Sequence, residues 1–471
     1  MLFREAILNT SGLQFLVENL DLKSSLGRRF LLNSKMMYEE FEIAAELNLV
    51  NQFVQLLAFE PNAEILSKIQ HKLSQLRDIR GTVNNLQANL VLDDVELFEI
   101  KVFALLTQEI KVLQKELKNV VLEIPDLQPL IRILDPQNTK IPSFYIYDNY
   151  SEELANVRKA LKITKAKDGV SDKEVEVCFD KVQKIEALVR EDLCAKIKMF
   201  GNNLAQSLNQ LAHLDLLIAK AAQVLNLNLN QAEISEKNTN YKGMFNPMIK
   251  NELENKDRKY QAIDIELEKS VCLITGANMA GKTVVLKTLA LCQYLFQFGF
   301  FVPADSAQIR IVDKISTSIG DEQSELNGLS SFASEMLKVS EMVEDAQKYE
   351  NVLILIDELA RTTNPVEGLA IVNAVADIFH QNKICSVITT HYSGLNPYFR
   401  KLRVVGLDKE LGDNLITQKN INSYMDYSLV EDYNGEVPHE ALRIASLLGI
   451  NKEIVEKAQN QLNGKLVINK C

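Results

Sequence analysis

The 471-residue sequence predicts a helical first half followed by an α/β half built on a mainly parallel sheet. Three observations predict it. Apolar residues recur every three or four positions up to about residue 240, which places them on single helical faces. Prolines are absent from Ser143 to Asn246 and rare before that, apart from Pro125, Pro129, Pro136 and Pro142. From about residue 260 the pattern changes to short β-branched runs separated by helical stretches.

In the first half, Ile65, Ile69, Leu73, Leu76 and Ile79 form one such series. Val182, Ile185, Val189, Leu193 and Ile197 form a second, and Leu204, Leu208, Leu211, Leu214 and Ile218 a third. The proline cluster surrounds LDPQNTKIPSFYIYDNYS, read as a short excursion between two helical blocks. Lys167-Asp168-Gly169 breaks the pattern again, joining a helix that ends near Ile163 to one that begins near Ser171. In the second half, VCLIT (271–275), VLILI (352–356), CSVIT (385–389) and RVVGL (403–407) read as strands. QIRIV (308–312) and SYMDYSLV (423–430) are candidate additional strands, and EALRIASLLGI and KEIVEKAQNQL two terminal helices. The expected division is an all-helical domain over 1–240 and an α/β domain over 241–471.

An apolar content of 46% with 24% charged residues is that of a globular chain and excludes a disordered one. Polar residues interrupt every apolar run before it reaches the ~18 residues of a membrane span. MLFREAILNT has an early acidic residue and no signal-like apolar core. The six cysteines are scattered without a C-x-x-C pair, as in reduced thiols. Together these point to the cytoplasm and away from disulfides, zinc or a membrane. The net charge of −11 leans against nucleic acid as an obligatory ligand, although an acidic protein can carry a local basic patch.

The chemistry-bearing segment is VCLITGANMAGKTVVLKTLALCQYLFQFG. A buried strand runs into Gly276-Ala277-Asn278-Met279-Ala280-Gly281-Lys282-Thr283, which fits G-x-x-x-x-G-K-[ST], and a helix follows. Such a loop turns its backbone N–H groups around phosphate oxygens, helped by the positive end of the helix. Gly281 permits the close backbone approach, Lys282 reaches the β- and γ-phosphates, and Thr283 offers a hydroxyl to Mg²⁺. Further along, ILIDE ends an apolar strand with adjacent carboxylates. Asp357 is expected to hold Mg²⁺ through water and Glu358 to polarise the attacking water. Thr389-Thr390-His391 ends the next strand, where His391 is placed to sense the γ-phosphate. The three elements in register predict ATP binding and hydrolysis with Mg²⁺.

TGANMAGKT, GDEQSELNGLSSFASEM, LILIDELARTTNPVEG and SVITTHYSGL together resemble the ATPase domain of MutS proteins, among the ABC-like ATPases. The resemblance covers about 260–463, and LDLLIAKA extends it weakly into the helical half, which it implies is the family's core-and-lever domain. It implies that Asn278 positions phosphates and that Ser330, or alternatively Ser331, reaches the γ-phosphate of another subunit. The loop Arg361–Pro365 would then cross the interface of a homodimer or of a heterodimer with a related subunit. The chain departs from the family where it has Ala360-Arg361-Thr362-Thr363, a stretch that usually carries glycine next to threonine. Phe245 stands where the family has a His-Pro pair, as a candidate for stacking on adenine or as a core aromatic.

Mismatch-reading MutS proteins add a DNA-reading domain and a DNA-embracing clamp; no place is expected here for the first, and only the Lys167–Lys173 turn for the second. Two functions remain. The first is a remodelling ATPase on a protein client, like the compact MutS-related reactivating factor of adenosylcobalamin-dependent aminomutases. The second is a DNA-maintenance protein that binds mismatched or branched DNA. The acidic balance and the missing clamp rank the protein client first.

Overall fold

The structure, a computed structural model, describes residues 1–117, 122–141, 143–166, 171–276, 281–320, 331–407, 424–433, 441–447 and 449–468. Among the described residues ten strands follow in chain order: β1 (Glu233–Ser235), β2 (Thr239–Met244), β3 (Ile263–Leu267), β4 (Val271–Thr275), β5 (Ser306–Arg310), β6 (Lys314–Ser318), β7 (Val352–Ile356), β8 (Cys385–Thr389), β9 (Arg400–Leu407) and β10 (Met425–Glu431). Up to Leu227 the described secondary structure is helical. All four apolar runs are strands. The two additional candidates are β5 and β10, each displaced by one or two residues from its predicted bounds.

The chain folds into two compact units, and they are not the contiguous halves 1–240 and 241–471. One unit comprises Leu20–Ser34 and Leu49–Ala222. The other comprises Met1–Asn19, Lys35–Asn48 and Gln223–Cys471. The N-terminal segments join the second unit through burial: Phe3 packs edge-on against Phe298 at 4.8 Å and stacks with Phe300 at 5.7 Å. The peptide oxygen of Met37 accepts from Gln297 Nε2 at 2.9 Å. Local periodicity carries no sign of such long-range pairings.

Within the helical unit, the series from Val182 to Ile197 lies on the helix Asp172–Ile197, with Val182, Val189, Leu193 and Ile197 buried. The third series is buried along the helix Gly201–Leu227. The first series outruns its helix: Glu60–Leu73 ends before Leu76 and Ile79, which are buried from the connection to Arg80–Gln87. The helix expected to end near Ile163 runs over Glu152–Ala166. Residues 167–170 of the predicted turn lie outside the described residues. No described helix is long and apolar enough to cross a membrane.

The second unit holds two sheets. A four-stranded sheet runs in the order β1-β5-β2-β3, with β2 antiparallel to both neighbours. A six-stranded sheet runs β10-β9-β4-β8-β7-β6, parallel throughout except for the antiparallel edge strand β10. β4, β7 and β8 are buried at every position, which is why their sequences are continuous apolar runs; a parallel sheet covered on both faces demands them. The helices Ser331–Lys348 and Pro365–Gln381 pack their apolar sides, among them Val339, Met342, Val372 and Phe379, into the core around β7. This order places β8 between β4 and β7, so the C-terminal ends of all three strands lie side by side.

Candidate functional site

The glycine-rich loop leaves β4 through Gly276 at φ 144° and re-enters regular structure at Gly281, φ 76°, which caps the helix Lys282–Gln297. A left-handed residue without strain at that cap has to be glycine. A Cβ there would also stand 3.2 Å from Tyr427 Cδ1. Asn278, Met279 and Ala280 lie outside the described residues, as does Ser330.

Lys282 is buried at the start of its helix, and its Nζ donates to the Gly276 carbonyl at 2.6 Å. It stands 3.9 Å from Glu358 Oε1. Burial pushes the ammonium below its ordinary range, while the carboxylates of Glu358 and Asp357 pull it back. Thr283 Oγ1 donates to Asp357 Oδ2 at 2.6 Å. Thus the lysine and threonine ending one motif meet both carboxylates of the other, 74 residues later for the threonine pair.

Thr389 completes this arrangement. The ladder pairs Ile274 with Thr389 and Ile356 with Ile388, which brings Thr389 level with Asp357. Its hydroxyl donates to Asp357 Oδ1 at 2.6 Å and accepts the Glu358 N–H at 2.9 Å. Sequence reasoning singled out this strand end for His391 and passed over Thr389. An apolar strand ending in a hydroxyl beside a second strand ending in Asp-Glu was the available signal, but only strand order makes it readable. The exposed His391 ring lies 4.4 Å from that of Tyr392, tilted by 37°.

The turn after Asp357 is unusual. Glu358 has φ 50° and Ala360 φ 60°, both in the left-handed region that costs an L-residue about 1–2 kcal/mol. Arg361 Nη1 donates to Glu358 Oε2 at 3.2 Å, so the carboxylate lies between two cations. Most of Arg361–Pro365 is exposed, and Asn364 caps the helix Pro365–Gln381 by accepting from Val366 N and Glu367 N.

Beside Gly281 opens a cavity of 640 Å³, with Tyr260, Tyr427, Val284, Met425 and Arg258 among its walls. Tyr260 accepts the Asn246 N–H at 3.0 Å, and Gln261 donates to Asp426 Oδ1 at 2.7 Å, which fixes this wall to β10. Phe245 is not part of it: the ring is buried, with Lys250 Nζ 4.6 Å from its centroid. Phe245 therefore serves as a core aromatic, and Tyr260 and Tyr427 take its place as candidates for stacking on a base.

Two loop glycines of positive φ, a buried lysine, a hydroxyl beside a carboxylate and a second carboxylate now stand together on adjoining strand ends. Residues 272–465 match the family model MutS domain V. The MutS domain V region contains the whole of this cluster apart from the start of β4. Among relatives, the chain is 30% identical over 290 residues to Endonuclease MutS2 of Caldanaerobacter subterraneus subsp. tengcongensis, covering 60% of this chain and 34% of that protein. It is 32% identical over 268 residues to Endonuclease MutS2 of Lachnoclostridium phytofermentans, covering 56% and 32%. The Thermus thermophilus protein of the same name is 35% identical over 193 residues, covering 41% and 25%. The matched stretch spans about a third of these relatives or less. The matches support a MutS-type ATPase region, in agreement with the resemblance read from the motifs.

Proposed function

We propose that this site binds Mg²⁺–ATP and hydrolyses it, and that the hydrolysis drives a MutS-type conformational switch acting on DNA. The observation that carries the proposal is the convergence of Lys282, Thr283, Asp357, Glu358 and Thr389. The Thr283 hydroxyl and Asp357 carboxylate, 2.6 Å apart, are a small set of hard oxygen donors. That set suits Mg²⁺, which keeps most of its water ligands. Bound there, the ion would neutralise charge on the β- and γ-phosphates. Lys282 exchanges the Gly276 carbonyl for phosphate oxygens, and the cavity beside Gly281 receives the adenosine, with Tyr260 and Tyr427 against the base. Glu358 accepts a proton from the attacking water as its oxygen bonds to the γ-phosphorus and the bond to the ADP oxygen breaks. Thr389 holds both the Asp357 carboxylate and the Glu358 backbone in register.

The target is the point at which the ranking changes. The relatives carry an endonuclease's name, which favours DNA over the protein client that sequence alone ranked first. A second observation supports phosphate contacts. On the helix Glu152–Ala166, Lys159, Lys162 and Lys165 are exposed, and residues 155–166 contain no acid. In this reading two copies, or one copy and a related subunit, pair across ATP, with Ser330 or Ser331 and the Arg361–Pro365 loop at the interface. Glu358→Gln tests it. The variant should bind ATP, turn over at least 100-fold more slowly and double in mass by light scattering with ATP. It should also bind duplex or branched DNA with a salt dependence that weakens by about two in log–log slope after Lys159→Glu with Lys165→Glu. Turnover within twofold of wild type would refute the role of Glu358. Unchanged DNA binding in the double variant would refute the basic helix.

A further inference from the structure

We propose that Glu335 and Tyr392 are positioning residues for Glu358, clamping the left-handed turn that aims its carboxylate. The inference rests on the ATPase reading. Glu335 belongs to GDEQSELNGLSSFASEM, the segment that follows the glycine-rich loop and its helix. From the helix Ser331–Lys348 its Oε1 accepts the Ala360 N–H at 2.8 Å. On the other side of the same residue, the Tyr392 hydroxyl donates to the Ala360 carbonyl at 2.7 Å. Ala360 and Leu359 are wholly buried, so neither backbone group has water as a substitute partner.

The fit leaves no slack. A Cβ on Gly368, in the helix Pro365–Gln381, would lie 2.2 Å from the Tyr392 oxygen and 3.2 Å from the Ala360 carbonyl oxygen. The turn is the reason a clamp is required. Two L-residues in the left-handed region, Glu358 and Ala360, persist only where neighbours over-determine them. Arg361, the next residue, donates its N–H to the Glu358 carbonyl at 3.2 Å and reaches the Glu358 carboxylate with its guanidinium. Relaxation at Ala360 thus displaces both the base and the cation beside it. A misplacement of ~1 Å at a reacting group can cost ~100-fold in rate. The helix carrying Glu335 begins at Ser331, so the clamp also ties that helix to the base.

The test compares Glu335→Ala, Glu335→Gln and Tyr392→Phe in the full chain by steady-state turnover, fluorescent-ATP affinity and amide hydrogen exchange over residues 358–361. Glu335→Ala should lower kcat at least tenfold, leave ATP affinity within about threefold and speed exchange at Ala360 at least tenfold. Glu335→Gln retains an acceptor oxygen and should recover kcat to within about threefold of wild type, with slow exchange. Tyr392→Phe should lower kcat severalfold, and the combination with Glu335→Ala should fall short of the product of the two effects. Values of kcat within twofold of wild type in both Glu335→Ala and Tyr392→Phe would overturn the proposal, as would Glu335→Gln behaving like Glu335→Ala. A wild-type protein without turnover would instead defeat the ATPase reading. The exchange at Ala360 would still decide the clamp, and should Glu335→Ala not fold, the two isosteric variants decide it.

Discussion

Replacing Lys282 with methionine separates nucleotide binding from folding, because the two depend on different partners of one ammonium. Without nucleotide, Nζ donates to the Gly276 carbonyl at 2.6 Å and faces Glu358 at 3.9 Å, at a buried position. Its removal ends the desolvation that pushes its pKa down, but it leaves Asp357 and Glu358 without that countercharge. These effects oppose each other, and Glu358 keeps Arg361 as a second countercharge, so the nucleotide-free stability should fall by less than the about 3–5 kcal/mol that breaking a fully buried pair costs. In the proposed ATP complex the ammonium serves phosphate oxygens, and a hydrogen bond to a charged group is worth about 1.5–3 kcal/mol, or about 10- to 150-fold in Kd. At a nucleotide concentration 100 times the wild-type Kd, binding stabilises the fold by about 2.7 kcal/mol. A 30-fold weaker variant retains about 0.9 kcal/mol of this. The ATP-induced rise in melting temperature should therefore shrink from about 5–11 °C to about 2–4 °C. Thermal unfolding with and without Mg²⁺–ATP, checked by calorimetric titration, measures both effects. An undiminished ATP-induced rise in Lys282→Met would refute the assignment of Lys282 to the phosphates.

Two further predictions concern the helical unit. Gly27→Ala places a Cβ 2.4 Å from Asp215 Oδ2, the buried carboxylate that accepts from Ser24 N, Ser24 Oγ and Lys23 N. It should cost about 2–3 kcal/mol, seen as a lower urea midpoint at constant slope. Lys101→Met strips the fully buried Asp135 of its ion-pair partner and should cost about 3–5 kcal/mol. Burial raises the Asp135 pKa, but the Lys140 N–H, the Thr139 hydroxyl and Lys101 outweigh it and hold the group below its ordinary 3.8. A depressed carboxylate stabilises the fold above its unfolded pKa and loses that contribution as pH falls through the folded value. The loss therefore falls below about pH 4, and it should be smaller in Lys101→Met than in wild type.

The strands β4, β7 and β8 were legible because a parallel strand buried on both faces is predominantly apolar and β-branched along its length. β6 was not: Lys314–Ser318 reads KISTS, and its strand character comes from the ladder with β7 rather than from its own composition. β3 alternates buried and exposed residues over five positions, a strand signal in itself, which was passed over beside the continuous apolar run of β4. The loop glycines, Lys282, Thr283, Asp357 and Glu358 were legible for a different reason. Phosphate and Mg²⁺ chemistry requires those residue types at short spacing within single segments. Thr389, Glu335 and Tyr392 were not, because a threonine, a helical glutamate and a tyrosine have common structural uses. Only their distances to Asp357 and Ala360 distinguish them.

The sequence by itself determined the buried strands β4, β7 and β8, the long helices and the motif residues of the site, since these are written in local periods and short motifs. The tertiary structure alone decided three other matters. It set the strand order that wedges Thr389 between the two motifs, and it lined the cavity beside Gly281 with Tyr260 and Tyr427 while burying Phe245. It also drew the segments Met1–Asn19 and Lys35–Asn48 into the unit that holds the site. Each depends on contacts between residues tens to hundreds of positions apart. Such contacts are chosen by packing and backbone pairing across the whole chain, and a local pattern does not encode them.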